Sequence, residues 1–151
     1  MTPSEHFSSP ADEEPATFGR FVDVSSISPV SFAPGLEFRP VLGENMLVNF
    51  VHLDPHSEAP NHVHKEEQIV IVLEGEFEFD LDGDVRTIRA GECVVVPPFV
   101  PHGAYTLDTE CFEVDVFNPP RETLLEHARS ERERLDAVLA ETEGGEPVDR
   151  D

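Results

Sequence analysis

Short apolar runs, each closed by Pro, Gly, Asp or Asn, recur from residue 18 to residue 120 and restrict the fold more than any other feature. Runs of this length between turn formers are typical of β-strands. They predict strands at residues 21–24, 46–53, 69–73, 76–81, 85–88, 93–96, 104–107 and 111–117. Strands this short and this regularly spaced indicate an all-β fold, an antiparallel sandwich or barrel, over residues 18–120.

Turn-forming residues predict how these strands connect. Gly75 follows one strand length of apolar residues, and we expect the strand to end there. The pair Asp82-Gly83 follows a cleanly alternating run and predicts a two-residue β-hairpin. A second hairpin is expected around Asp108-Thr109, between the last two predicted strands.

After Pro120 the apolar residues follow a helical period. Those on or near one helical face are Leu124, Leu125, Ala128, Leu135, Val138 and Leu139. They predict an α-helix over residues 121–143, packed on the outside of the barrel or on a partner subunit, and no helix before Pro120. Residues 1–17 and 144–151 are predicted to be disordered tails, the first because it is rich in proline and acidic residues.

The excess of acidic residues limits the classes of molecule that this chain can bind. Acidic residues outnumber basic ones by 32 to 10, which gives a net charge of -22. Because binding a phosphate backbone needs a basic surface, this balance excludes a nucleic-acid partner. No run of about 18 apolar residues predicts a membrane span, and the polar residues 1–15 predict no secretory signal, hence a cytoplasmic protein. The acidity fits either a high-salt setting or a GC-rich genome.

The two cysteines, Cys93 and Cys111, each lie alone in an apolar, strand-like run. Neither belongs to a CxxC pair, so we expect no zinc site built from cysteine. In a cytoplasmic protein both are predicted to be reduced, buried thiols.

Apolar residues near the N-terminus predict self-association. Small barrels expose an apolar sheet face, and Phe21, Val22, Phe32 and Phe38 could feed an intermolecular strand. We therefore predict a homodimer.

Three histidines and a glutamine have the spacing of a metal site. His62 and His64 are two residues apart, so that on a strand both imidazoles point to one face. Gln68 shares their parity, and His102 follows the end of a later strand at Pro97. Two imidazoles from one strand and a third from another suit a divalent transition metal such as Zn, Fe, Ni, Mn or Cu.

These residues lie in two segments that resemble the two motifs of the cupin superfamily, residues 62–75 and 91–102. The resemblance implies a cupin-type double-stranded β-helix, a jelly-roll barrel, with one metal bound inside by His62, His64, Gln68 and His102. The chain departs from the motifs at three positions: His56 and Phe99 stand where the family has glycine, and Gln68 stands where it has glutamate.

Glutamine at this position changes the charge of the predicted site. With four neutral ligands, a divalent ion keeps its full charge and favours anionic oxygen ligands from a substrate. Glu66 shares the inward parity of Gln68 and is an alternative ligand.

A further group of residues follows on the last predicted strand. Asp115, Phe117 and Arg121 resemble the closing motif of pectin-degradation-type cupins, which help to open the rings of unsaturated uronates. The resemblance implies that Asp115 transfers a proton, Arg121 holds a substrate carboxylate and Phe117 forms an apolar wall. Related motifs occur in cupins of antibiotic and polyketide pathways. The pair Glu113 and Asp115 fits equally a solvated strand face.

Three functions are open at this point. The first is a metal-dependent isomerase or ring-opening enzyme that acts on a small anionic sugar or keto acid. The second is an iron-dependent dioxygenase, and the third is a non-catalytic cupin that binds a small ligand. A shared fold does not choose among them.

Four other side chains have less definite placements. His52 lies in a strand that is apolar on both faces, so it could line the cavity or face outwards, and the same holds for Tyr105. His56 and His127 are expected to be exposed to solvent.

Overall fold

The computed structural model describes residues 14–143 together with Thr2, His6 and Phe7. Within these residues the chain forms β1 (Val30–Ala33), β2 (Leu36–Leu42), β3 (Leu47–Leu53), β4 (Glu58–His62), β5 (Glu67–Leu81), β6 (Asp84–Arg89), β7 (Cys93–Val96), β8 (His102–Tyr105), β9 (Cys111–Asn118) and α1 (Glu122–Glu143). The predicted tail 144–151 lies outside the described residues, as does most of the predicted tail 1–17.

The strands form a curled antiparallel sheet in two halves that share β5. One half has the order β1-β2-β3-β9-β5-β7, and the other joins β6, β5, β8 and β4. This arrangement confirms the predicted jelly-roll barrel. The apolar side chains that point inwards between the halves include Leu47, Leu53, Val72, Val96 and Phe117, all fully buried.

The long strand β5 corrects the expectation that a strand ends at Gly75. β5 continues through Gly75 to Leu81, but it changes partners there: β7 and β9 before the glycine, β6 and β8 after it. A register shift between Val72 and Glu74 and a φ of +76° at Gly75 mark the bend. Glycine adopts this backbone without steric cost, so it turns the strand from one half of the barrel to the other.

We expect Gly75→Ala to destabilise the protein more than the same change at Gly83. Both glycines have positive φ, +76° and +89°, but a Cβ at Gly75 would meet the backbone carbonyl oxygen of Glu110, whereas at Gly83 it would meet open space. The Gly83→Ala control should cost about 1–2 kcal/mol from backbone strain, and Gly75→Ala at least about 2 kcal/mol more. Urea unfolding measures both; equal losses would contradict the close approach of β5 to Glu110.

Other predicted elements are also corrected. Residues 21–24 form no strand. A 3-10 turn, Val24–Ser26, lies at the end of this segment, and Asp23 caps it: its carboxylate accepts a hydrogen bond from the Ser25 backbone N–H at 3.0 Å. The hairpin expected around Asp108-Thr109 is wrong, because β8 pairs with β4 and β5, while β9 pairs with β3 and β5. The chain crosses between the two halves at this point. The Asp82-Gly83 hairpin is confirmed between β5 and β6.

The first turns of α1 pack on the barrel. Leu124, Leu125 and Ala128 are buried, whereas Leu135 and Val138 are about half exposed. The helix therefore begins against the sheet and continues away from it.

Two side chains expected at the surface lie elsewhere. The ring of His127 is half-buried against Phe32, and its Nε2 donates to the Ser31 carbonyl oxygen at 2.8 Å. Phe38, expected in an intermolecular strand, is buried in the core beneath Phe32. Phe38 shares the inward face of β2 with the buried Leu36, two residues earlier.

Only one of the two cysteines follows the prediction of buried thiols. Cys111 is fully buried, and burial raises the pKa of its thiol to about 12. Cys93 is exposed, because its side chain points away from the core on the outer strand β7. Among the described residues, no helix has the length and apolar character needed to cross a bilayer.

Candidate metal centre

Three elements bring the predicted metal-binding residues to one place. His62 ends β4 and lies directly opposite His102, the first residue of β8. His64 follows two residues later, beyond the end of β4 rather than on it, and Gln68 is the second residue of β5. Sheet pairing therefore joins residues that are up to 40 positions apart in the sequence.

The potential ligand atoms of these side chains converge. The three imidazoles each offer one nitrogen within 4.8 Å of the others. His64 Nε2 lies 3.0 Å from Gln68 Oε1 and 3.1 Å from His102 Nε2, and His102 Nε2 lies 3.1 Å from Gln68 Oε1.

Backbone carbonyl groups fix which nitrogen of each ring faces the cluster. The Nδ1 atoms of His62, His64 and His102 lie 2.7, 3.0 and 2.8 Å from carbonyl oxygens two residues away in the chain. Because a carbonyl oxygen only accepts, each neutral ring carries its proton on Nδ1 and turns an Nε2 lone pair towards the cluster. Hydrogen bonds of this kind, from the ring nitrogen that faces away from the metal, orient histidines that ligate metals.

Gln68 is oriented by Asp115. Its Nε2 donates to Asp115 Oδ1 at 2.9 Å, so Oε1 is the atom that faces His64 and His102. The cluster thus gathers lone pairs with no proton between them, an arrangement that repels unless a cation lies among them. Three imidazole nitrogens and one amide oxygen fit a divalent transition metal.

Two histidines of the cluster, His62 and His102, favour their neutral forms. Burial lowers the pKa of His102 to about 4, and burial also lowers the pKa of His62. Neutral imidazoles are the form that binds metal, so the site needs no proton release from these two rings near pH 7.

Glu66, the alternative ligand, lies on the other side of His64. Its side chain is buried, and Oε2 is 3.6 Å from His64 Nδ1, the nitrogen that faces away from the cluster. Gln68 rather than Glu66 therefore directs its oxygen at the imidazole nitrogens.

A cavity of about 280 Å³ opens beside the cluster, inside the barrel. Asp115, Phe117 and Arg121 line it together with His62, Gln68 and His102. The Arg121 guanidinium lies 5.9 Å from the centre of the Phe117 ring. Burial raises the pKa of Asp115 and lowers that of Arg121, while the charges of Glu66 and Asp115 act on Arg121 in the opposite direction.

A family model for the cupin domain matches residues 49–116, which contain the whole cluster. The chain contains a cupin domain. This assignment agrees with the jelly-roll barrel and with the position of the cluster between its halves.

Similar proteins share the fold of this cupin along most of its described length. KdgF from Halomonas sp. is 27% identical with a TM-score of 0.67, over 71% of this chain and 99% of that one. An RmlC-like cupin from Shewanella frigidimarina is 28% identical with a TM-score of 0.67, over 71% of this chain and 96% of that one.

A curated relative matches over a shorter stretch. H2HPP isomerase from Bacillus subtilis is 36% identical over 67 residues, which are 43% of this chain and 28% of that protein. The matched part of the cupin thus spans less than a third of the Bacillus protein.

Two polar residues of the cavity had no role in the sequence analysis: Asn49 was not singled out, and Glu113 was noted only as the neighbour of Asp115. Asn49 and Glu113 line the cavity and are almost fully buried. Glu113 lies two residues before Asp115 on the same strand, so the alternation of faces could have placed its side chain in the cavity. Asn49 is a polar residue in a mostly apolar run, on the same face of β3 as the buried Leu47 and Val51.

The remaining histidines and the tyrosine lie outside the cavity. His52 points to the outer face of β3, where its Nε2 is 2.9 Å from a Glu110 carboxylate oxygen. Tyr105 is exposed at its edge of β8, and the exposed His56 pairs with Asp108 at 3.1 Å. None of these side chains lines the cavity beside the cluster.

Proposed function

We propose that this cupin is a metal-dependent enzyme that moves a proton on a small anionic sugar or keto acid, in an isomerisation or ring opening. One observation carries the proposal: the cluster of imidazole and amide lone pairs opens into a cavity that also holds a carboxyl group and a guanidinium. A Lewis-acid site, a proton carrier and an anion-binding group then meet around one small substrate.

Each residue has a role that follows from its contacts. His62, His64, Gln68 and His102 would hold the metal, which would supply a Lewis acid for an oxygen of the substrate. Arg121 binds the substrate carboxylate through its planar fork of N–H donors.

The other two wall residues act on the reacting part of the substrate. Asp115 takes or gives the proton, since burial raises the pKa of its carboxyl group towards the range that suits proton transfer. Phe117, fully buried beside the His64 ring at 5.7 Å between centroids, supplies the apolar wall that positions the substrate.

Two kinds of resemblance support this reaction class. Asp115, Phe117 and Arg121 match the closing motif of pectin-degradation-type cupins, and the chain is similar to KdgF along nearly that protein's whole length. The Bacillus relative is named as an isomerase. Ring opening of an unsaturated uronate is therefore the reaction to test first.

The test measures metal and turnover on one preparation. Elemental analysis of the purified protein should find a divalent transition metal in near-stoichiometric amount. The same protein, given an unsaturated uronate, should speed the loss of the cyclic form in proton NMR spectra over buffer alone. A metal-loaded protein that leaves the cyclic form unchanged would contradict the ring-opening proposal.

A dioxygenase is the second candidate, because most side chains that line the cavity are apolar. Iron-loaded protein would then consume oxygen when given a small keto acid in an oxygen electrode. A non-catalytic binding role has less support, since a carboxyl group and a guanidinium, those of Asp115 and Arg121, line the cavity beside the cluster.

The outer face of the larger half of the sheet supports a homodimer. One row across five strands is wholly apolar and consists of Val41, Val48, Val116, Ile69 and Val95. The next row is Arg39, Phe50, Val114, Ile71 and Cys93. In a chain of net charge -22, these rows are where two copies can approach with least repulsion. We propose a second copy of the chain as the partner of this face.

We expect Val95→Glu to convert the dimer to a monomer. Light scattering after gel filtration should give twice the 16.8 kDa chain mass for the wild-type protein. A buried like-charge pair should weaken association at least about tenfold. Val85→Glu is the matched control, because Val85 is similarly exposed, 49% against 56%, but lies on β6 outside the apolar rows. A monomeric wild-type protein, or equal effects of both variants, would refute this interface.

A further inference from the structure

Two oxygen atoms deep in the cavity lack a partner. Among the described residues, Asn49 Oδ1 and Glu113 Oε2 are the buried side-chain polar atoms without a hydrogen bond. The residues are 3% and 5% exposed, and both line the cavity. A buried acceptor without a donor costs roughly 1–3 kcal/mol, so these atoms point to a ligand that donates to them.

The sheet places the two atoms on the same inner surface. Asn49 on β3 is directly opposite Asp115 on β9, and Glu113 is opposite Val51, the next inward position. Diagonal neighbours of this kind are about 7–8 Å apart at Cα, close enough to contact one small molecule.

This polar spot lies away from the metal-binding cluster. Gln68 is opposite Phe117, four residues along β9 from Glu113. At about 3.4 Å per residue, the Glu113 backbone lies roughly 14 Å along the strand from the rung that holds Gln68, and Asn49, opposite Asp115, lies about half as far from it. This distance suits a substrate that reaches from the cluster to Asn49 and Glu113.

Both unpartnered atoms are acceptors. Burial, followed by the charge of Asp115, raises the pKa of Glu113 well above its usual range, so its carboxyl group stays protonated. The interaction between the two carboxyl groups acts to raise the pKa of Glu113 and to lower the pKa of Asp115, so Glu113 is the one of the pair that favours its protonated form. Glu113 Oε2 and Asn49 Oδ1 therefore both require a donor from the ligand, and the apolar neighbours Val51 and Val72 offer none.

We propose that Asn49 and Glu113 form a hydroxyl-binding floor, which selects small acids with hydroxyl groups over apolar acids of the same size. A hydroxyl is the donor that suits two neutral acceptors, because it donates a hydrogen bond without the desolvation cost of a buried charge, which an ammonium group would add. The inference rests on the proposed function, since it takes the cavity as the place where a small acid binds with its carboxylate near Arg121.

The experiment compares two probes of similar shape. Galacturonate and cyclohexanecarboxylate each have a six-membered ring and one carboxylate, but only galacturonate carries hydroxyl groups. Isothermal titration of the metal-containing protein gives the affinity of each, and the ratio of the two affinities reports hydroxyl selection. The wild-type protein should prefer galacturonate.

Variants then locate this preference. Asn49→Leu and Glu113→Met should each lower the ratio about tenfold, the value of one hydrogen bond to a buried acceptor. Glu113→Gln should keep it, because the amide retains a carbonyl acceptor and a donor towards Asp115. Asn45→Leu makes the same change as Asn49→Leu at an exposed position before β3 and should leave the ratio unchanged.

The outcomes separate this proposal from the proposed function. An unchanged ratio in Asn49→Leu and Glu113→Met, with thermal melting that shows both are folded, overturns the floor while uronate turnover still supports the function. Equal binding of the two acids by the wild-type protein also overturns it, whether or not the variants fold. Absence of galacturonate binding to the wild-type protein counts against the floor and against a sugar-acid substrate together.

Discussion

Asp115→Asn is expected to lower the turnover of an unsaturated uronate by about 10²–10⁴ while the metal content stays at the wild-type level. The asparagine side chain keeps an oxygen that accepts the hydrogen bond from Gln68 Nε2, now 2.9 Å from Asp115 Oδ1. It cannot exchange a proton with the substrate. Steady-state kinetics and elemental analysis of the same preparation measure the two quantities.

Two further variants make this result specific to proton transfer. Asp115→Ala removes the acceptor as well as the carboxyl group, so the Gln68 amide is free to rotate and metal content should fall together with turnover. Asp108→Asn makes the same chemical change at an exposed loop position and should leave both unchanged. If Asp115→Asn retains full turnover, the assigned proton-transfer role is wrong; if it loses metal, Asp115 acts by positioning Gln68.

The metal cluster could be predicted from sequence because its signal is local. His62, His64 and Gln68 lie within seven positions, and the barrel pattern brings a later strand end, at His102, beside them. The orientation of the rings could not be predicted. It depends on backbone carbonyl groups, such as those of Pro60 on β4 and Val100 in the loop before β8, whose direction is set by the folded backbone.

The errors in the fold concern residues that have two plausible roles. Gly75 was expected to end a strand, because a glycine after an apolar run commonly marks a turn. In the structure its positive φ instead bends a strand that both halves of the barrel share. Phe38 was expected to feed an intermolecular strand, but it lies on the inward face of β2 together with the buried Leu36. Only the pairing of distant strands distinguishes these cases.

Asn49 shows the same limit inside the cavity. Its run is apolar on both faces, so alternation alone does not tell which face is inward. Once β3 pairs with β9, Asn49 falls opposite Asp115 and its role as a cavity residue becomes visible. The same pairing places the side chain of His52 on the opposite, outer face of β3.

His102→Ala is expected to lower divalent-metal affinity at least about 100-fold. The change removes one of three imidazoles, and even loss of an outer-shell partner of a ligand typically costs 10–100-fold. Metal that binds the folded state also stabilises it, by about 2.7 kcal/mol at a concentration 100 times the dissociation constant. Added Zn²⁺ or Ni²⁺ should therefore raise the melting temperature of metal-stripped wild-type protein and leave that of His102→Ala almost unchanged.

His52→Ala is the matched control, because it removes an imidazole from the outer face of the same barrel, where His52 contacts Glu110 rather than the cluster. Its metal content and its melting shift should equal those of the wild-type protein. Equal metal affinity in His102→Ala and in the wild-type protein would contradict a metal centre here. Without a metal ion, the lone pairs of His64, Gln68 and His102 would require protons between them. The two imidazoles could not then both be neutral and donate from Nδ1 to the backbone.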